Sequence, residues 1–189
     1  MEAVLGMGYP SLSHKSALSF VDTMMKQPNM PSAIFAFYYT YKRKGIKPEM
    51  TMGYYDKTKF KGQMNWYPTV EHRYYSIKLD DVKIKGQALN LCKHLPDKET
   101  KCLITIDTGA VEELFPGWIE KPFEELGYPT MSKAKECNSI NDIGDITFVI
   151  GGKDYVYPAE NWLTTEQKNK NLLQNTKTQS LGPEIIEMS

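Results

Sequence analysis

The residues of this chain whose types and spacing best suit chemistry are Asp107, Thr108 and Gly109, delivered by the β-rich run Leu103-Ile104-Thr105-Ile106. A carboxylate at a strand end, followed by a hydroxyl and then a glycine that permits a tight turn, is how an acid is held rigidly beside a close backbone approach. The same tripeptide also serves simply to start a turn, and on these residues alone both readings stand. No second Asp-Thr-Gly or Asp-Ser-Gly occurs. His14, His72 and His94 lie far apart and share no ligand spacing, which favours ordinary surface histidines over a metal site. Cys92, Cys102 and Cys137 allow at most one internal disulfide and leave one cysteine unpaired within the chain. Without CxxC spacing or a nearby histidine cluster they do not read as a zinc site.

The elements that must position these groups are mostly strands. Met64-Asn65-Trp66-Tyr67, Tyr75-Ser76-Ile77-Lys78-Leu79 and Val82-Lys83-Ile84 put every second apolar residue on one face, the period of half-buried meander strands. Ile146–Ile150, then Gly151-Gly152, then Tyr155-Val156-Tyr157 predicts a hairpin, since paired glycines reach the positive φ angles such turns require. The apolar stretch from Ala33 to Tyr39 suits a buried strand, and Pro48 with Gly53 marks a turn after the polar run Lys42–Lys47. Helical periodicity is confined to Ser16–Gln27 (Leu18, Val21, Met25) and Gly117–Leu126 (Trp118, Ile119, Phe123, Leu126), both short. Pro96 falls in a loop between Cys92 and Cys102, and Glu160 to Ser180 is a polar excursion rich in Asn, Gln, Lys and Thr. The class is mostly β.

Composition narrows the partners. The 189 residues suffice for one domain or for about half of a larger two-lobed protein. With 23 Lys+Arg against 23 Asp+Glu the net charge is +0, so no global field draws the chain to nucleic acid or an anionic membrane. A 41% hydrophobic content with 12% aromatic residues argues for a packed core. No apolar run approaches membrane-span length, and the N-terminus lacks the basic and apolar regions of a signal peptide.

Several blocks, in order, resemble the pepsin-like aspartic proteases. Val4-Leu5-Gly6-Met7-Gly8-Tyr9-Pro10-Ser11-Leu12-Ser13 is similar to the family's hydrophobic-Leu-Gly-Leu-Gly-Tyr-Pro-Ser segment. Lys61-Gly62-Gln63-Met64-Asn65-Trp66-Tyr67-Pro68 resembles its Tyr-x-Gly-x-hydrophobic-x-Trp-x-Pro block. Arg73-Tyr74-Tyr75-Ser76-Ile77-Lys78-Leu79-Asp80 resembles the Tyr-Trp block that ends in Asp. The resemblance covers most of the chain. It implies a pepsin-like acid-protease β-barrel lobe with two short helices, residues 1–13 being the closing strand of an N-terminal lobe and 14–189 an incomplete C-terminal lobe.

The implied activity is aspartic endopeptidase, in which water activated between two aspartates attacks a peptide bond, with no metal and no organic cofactor. By the match, Asp107 is the second catalytic aspartate, Thr108 clasps its counterpart across the lobe interface, and Gly109 permits the loop. Tyr74 resembles a substrate-cleft residue, packing being the alternative for any aromatic on a strand. Ala110 stands at a cleft position where relatives have Thr or Ser to hydrogen-bond the carboxylate; the homodimeric retroviral proteases resemble Asp-Thr-Gly-Ala. Cys92 and Cys102 bracket the loop where the family often has a short disulfide. Cys137 matches half of a second one, whose partner would fall in or after Glu160–Ser180, where no cysteine occurs.

The chain also departs from the pattern. Glu112 and Glu113 add negative charge near Asp107, and Pro183 follows Ser180-Leu181-Gly182 where relatives usually have Asp. Acid proteolysis needs two carboxylates sharing one proton, and this chain holds one. The first catalytic aspartate and the flap tyrosine are therefore expected upstream of Met1 or are absent, and the polypeptide alone is expected to be inactive. Its partners are then a polypeptide substrate or a complementary N-terminal lobe. A homodimer is disfavoured because exposed β-edges would sooner drive aggregation than a symmetric active pair. A catalytically dead pseudoprotease with a binding or structural role is the alternative. The family implies the secretory pathway or an acidic vacuole or lysosome, though no such address stands in this chain.

Overall fold

The computed structural model describes residues 5–14, 17–39, 47–93, 95, 100–109, 125 and 144–159, together with the backbone of 184–187. The chain divides into two compact units. The first comprises Met1–Ile77, Thr105–Asp107 and Leu181–Ser189; the second comprises Lys78–Ile104 and Thr108–Ser180. Nine strands and one α-helix are present among the described residues, so the chain is mostly β.

In the first unit, strand β1 (Ile34–Tyr38) lies between β2 (Glu49–Met52) and β9 (Glu184–Glu187), antiparallel to both. Phe35 opposes Met52 and Tyr38 opposes Glu49. The apolar run around β1 is the buried strand its composition predicts, with Phe35 and Ala36 buried. The segment between Pro48 and Gly53, expected as a turn, is instead strand β2. Pro48 and Gly53 flank a strand rather than interrupt one, and Gly53, at φ 82°, donates its N–H to Ile34 O at 2.6 Å.

Helix α1 (Phe20–Met25) is shorter than the Ser16–Gln27 periodicity predicts. Ser19 is its N-cap: the hydroxyl accepts from Asp22 N–H at 3.0 Å and donates to the Asp22 carboxylate at 2.8 Å. That reciprocal capping fixes the start, and Gln27, preceding Pro28, is pushed away from helical geometry and fixes the end. The helix buries Val21 against Tyr9, Phe35 and Tyr75, with Met7, Phe20, Met25, Phe37 and Met52 around them. The second predicted helix, Gly117–Leu126, lies outside the described residues apart from Glu125.

Residues 64–67 do not form the expected strand. Pro68 supplies no N–H to a ladder, and pairing begins only after it, with Thr69 bridging Ile77 and Val70 N–H donating to Ser76 O. Trp66 is partly exposed, edge-on to Tyr55 at 6.0 Å.

The second unit is built on a four-stranded antiparallel sheet of β5 (Gln87–Ala88), β4 (Asp81–Ile84), β7 (Ile146–Ile150) and β8 (Lys153–Tyr157), in that order. The Gly-Gly hairpin forms as expected. Ile150 pairs with Lys153, and Gly151 and Gly152 take φ angles of 57° and 73°. Three carboxylates fasten turns to this sheet. Asp80 accepts from Gly152 N–H at 2.9 Å, Asp81 accepts from Asn90 and Leu91 N–H at the start of a 3-10 turn, and Asp145 accepts from Ala159 N–H. No helix among the described residues is long and apolar enough to cross a membrane.

Candidate active site

Two further strands carry the candidate site, β3 (Ser76–Lys78) and β6 (Leu103–Thr105), which pair in a two-stranded sheet. The pairing is antiparallel. In the first unit Ile106 N–H donates to Tyr75 O at 3.3 Å, and in the second Leu79 N–H donates to Cys102 O at 3.0 Å. The alternation read over Tyr75–Leu79 and the β-rich run before Asp107 are thus both strands, and each is laid against the other.

Asp107 follows β6 by two residues and is exposed; Thr108, half-buried, and Gly109, exposed, form a turn. The acid therefore stands where a strand gives way to a turn, as the tripeptide predicts. Ala110, Glu112 and Glu113 lie outside the described residues. Tyr74 is 43% exposed, and the Arg73 guanidinium carbon lies 5.4 Å from its ring centre. Through the Tyr75–Ile106 hydrogen bond the backbone beside Tyr74 is joined to the backbone beside Asp107. Cys92 and Cys102 are bonded as a disulfide with their Cα atoms 5.3 Å apart, which anchors the residue just before β6. Cys137 and His94 lie outside the described residues. Among those described, no three His, Cys, Asp or Glu side chains gather as a metal site.

In the first unit β3 joins a cluster of aromatic and hydroxyl groups that spacing alone does not reveal. The Tyr75 ring lies tilted against Tyr9, centroids 4.9 Å apart, and meets Phe35 edge-on at 5.6 Å, while its hydroxyl donates to Met7 O at 2.7 Å. Burial pushes its phenol pKa above the ordinary value, and the neighbouring Tyr9 and Asp22 add to the rise. Tyr9 OH lies 3.3 Å from Thr69 Oγ1, and Ser11 Oγ donates to His72 O. The segment around Tyr9 thereby braces the loop that carries Tyr74. Ser76, fully buried on β3, donates to Glu71 Oε1 at 2.9 Å and lies 2.8 Å from Thr105 Oγ1 on β6. A lone hydroxyl on an alternating strand carries no spacing signal, and its partners sit 5 and 29 residues away in sequence.

Comparison with known proteins places this arrangement in context. The family model described as eukaryotic aspartyl protease matches residues 1–181. The chain is 31% identical to cathepsin E of Cavia porcellus over 82% of its own length and 38% of that protein. It is 31% identical to cathepsin E of Oryctolagus cuniculus over 84% and 39%. To a pregnancy-associated glycoprotein of Equus caballus it is 29% identical over 86% and 41%. The chain spans about two-fifths of the length of these curated relatives.

Proposed function

Because this chain belongs to the pepsin-like eukaryotic aspartyl protease family, we propose that it supplies one half of an aspartic endopeptidase, with Asp107 working against a second aspartate from a complementary lobe. The observation that carries this is the exposed carboxylate of Asp107, set at the end of a strand inside an Asp-Thr-Gly that falls within the matched region. Two carboxylates close enough to share one proton cannot both ionise. The ionised one takes a proton from the attacking water, and the protonated one stabilises the peptide carbonyl oxygen as charge develops on it.

In this proposal Asp107 is general acid and base. Thr108 clasps the opposite lobe, Gly109 lets the loop turn, and Tyr74 and Ala110 face the polypeptide substrate. Residues 1–13 belong with the first lobe and 14–189 with the second. The chain holds a single Asp-Thr-Gly, so alone it lacks half of the dyad and is inactive. Pairing two copies is disfavoured for the reason given by its β-edges.

The test is hydrolysis of a denatured protein from about pH 3 to about pH 7, the range in which a shared-proton carboxylate pair is competent. The chain is assayed alone and with a separately expressed N-terminal lobe of a cathepsin E relative, with and without pepstatin, beside Asp107→Asn. No cleavage by the chain alone, and pepstatin-sensitive cleavage with the lobe that disappears in Asp107→Asn, is the expected result. Cleavage by the chain alone that needs Asp107 would instead show that two copies supply the dyad. No cleavage in any combination, by a folded chain, would favour the pseudoprotease, a reading supported by Ala110 and the Glu112-Glu113 pair.

A further inference from the structure

We infer that Ser76 is a positioning residue for Asp107, acting through Thr105 and anchored by Glu71; the inference rests on the catalytic role proposed above for Asp107. The triplet Thr105–Asp107 belongs to the first unit, whereas Ile104 before it and Thr108 after it belong to the second. Three residues are thus held to the first unit from the strand they lie against. One tether is Ile106 N–H to Tyr75 O, at 3.3 Å a long backbone hydrogen bond. Another is the side-chain link from Ser76 to Thr105, at 2.8 Å within the tight range for paired hydroxyls.

Counting protons gives that link a direction. A serine hydroxyl has one hydrogen, and Ser76 commits it to the Glu71 carboxylate. Thr105 must therefore donate to Ser76, so the chain runs from Thr105 to Ser76 to Glu71 and ends on a carboxylate oxygen, the stronger kind of acceptor. Ser76 sits between Tyr75 and Ile77, both buried, and is itself 1% exposed. A hydroxyl in such a place is costly unless satisfied, and here it is satisfied on both sides. Thr105 is the last residue of β6, two before Asp107. Pinning its side chain fixes the twist with which the backbone leaves the strand, and so the aim of the carboxylate.

Amide hydrogen exchange on the full chain tests this. Thr105→Val, at an exposed position, should lower the protection of the Ile106 N–H by about tenfold, the size of one lost hydrogen bond, and leave the Gly53 N–H unchanged. Ser76→Ala should do the same, but it also removes a buried hydroxyl and can lower global stability, which is why the exposed substitution carries the test. Glu71→Gln retains an acceptor oxygen and should retain most of the protection, whereas Glu71→Leu should lose it. In the assembled enzyme Thr105→Val should lower kcat with KM little changed. Unchanged Ile106 protection in Thr105→Val, or an equal loss at Gly53, would overturn the inference. Absence of proteolysis with every chain, the unsubstituted one included, would overturn the endopeptidase proposal and with it the role for Asp107, while the exchange result would still report whether Ser76 holds the strand.

Discussion

Tyr75 joins three parts of the first unit at one side chain: its ring meets Tyr9 and Phe35, and its hydroxyl reaches Met7 O. Its phenol pKa is raised in the folded chain, chiefly by burial. The raised value means that the folded chain keeps this proton after the unfolded chain has begun to lose it near the ordinary phenol value of 10.0. Above that pH the unfolded state binds fewer protons than the folded state, so stability falls as pH rises. Tyr75→Phe should be destabilised at neutral pH by about 1 kcal/mol for the lost hydrogen bond, and its urea midpoint should decline less steeply on the alkaline side than that of the unsubstituted chain. Equal alkaline slopes would refute the assignment. At this scale the site is unevenly legible. Asp-Thr-Gly stands out because its chemistry depends on a fixed run, whereas the three cysteines alone leave the pairing open and only the family resemblance implies Cys92 with Cys102. Ser76 and Tyr75 do not stand out, because what matters at each is a partner brought in by folding.

The elements show why some turns were readable and one strand was not. Gly151-Gly152 announces a hairpin because both residues need positive φ, a requirement written into residue type. Glu49–Met52 gave no such notice: four residues bounded by Pro48 and Gly53 look like a turn until β1 is found paired with them. Residues 64–67 present the opposite case, where alternation suggests a strand and Pro68 removes the donor that pairing would need. The two kinds of glycine also differ in what they tolerate. At Gly152 nothing stands within 4 Å of an added Cβ, so Gly152→Ala should cost only the left-handed backbone penalty of about 1 kcal/mol. At Gly53 the same Cβ would lie 2.6 Å from Pro31 Cδ and 2.7 Å from Met30 Sδ, at φ 82°. Gly53→Ala should therefore lose clearly more, roughly 2–4 kcal/mol once overpacking is added. Urea denaturation of the two variants checks the order, and a Gly152→Ala loss equal to that of Gly53→Ala would contradict it.

For the whole molecule, the chain passes from the first unit to the second after Ile77 and returns at Thr105, and the Cys92–Cys102 bond lies within that excursion. Its ends are ten residues apart. Closing a loop of that size stabilises a fold by about 2–3 kcal/mol if the effect is mainly loss of unfolded-chain entropy. The cysteines, Cys102 N-terminal to β6 and Cys92 in the 3-10 turn capped by Asp81, both belong to the second unit. Reduction should therefore weaken that unit selectively. Measured by native-state hydrogen exchange, protection of Asp80 N–H, which is bonded to Val149 O, should fall on mild reduction by about 2 kcal/mol in opening free energy. Gly53 N–H, bonded to Ile34 O in the first unit, should keep its protection. Equal losses at both amides would mean that the two units open as one cooperative body. A loss confined to the second unit would mean that the two units open separately and that the Cys92–Cys102 bond stabilises only the one that contains it.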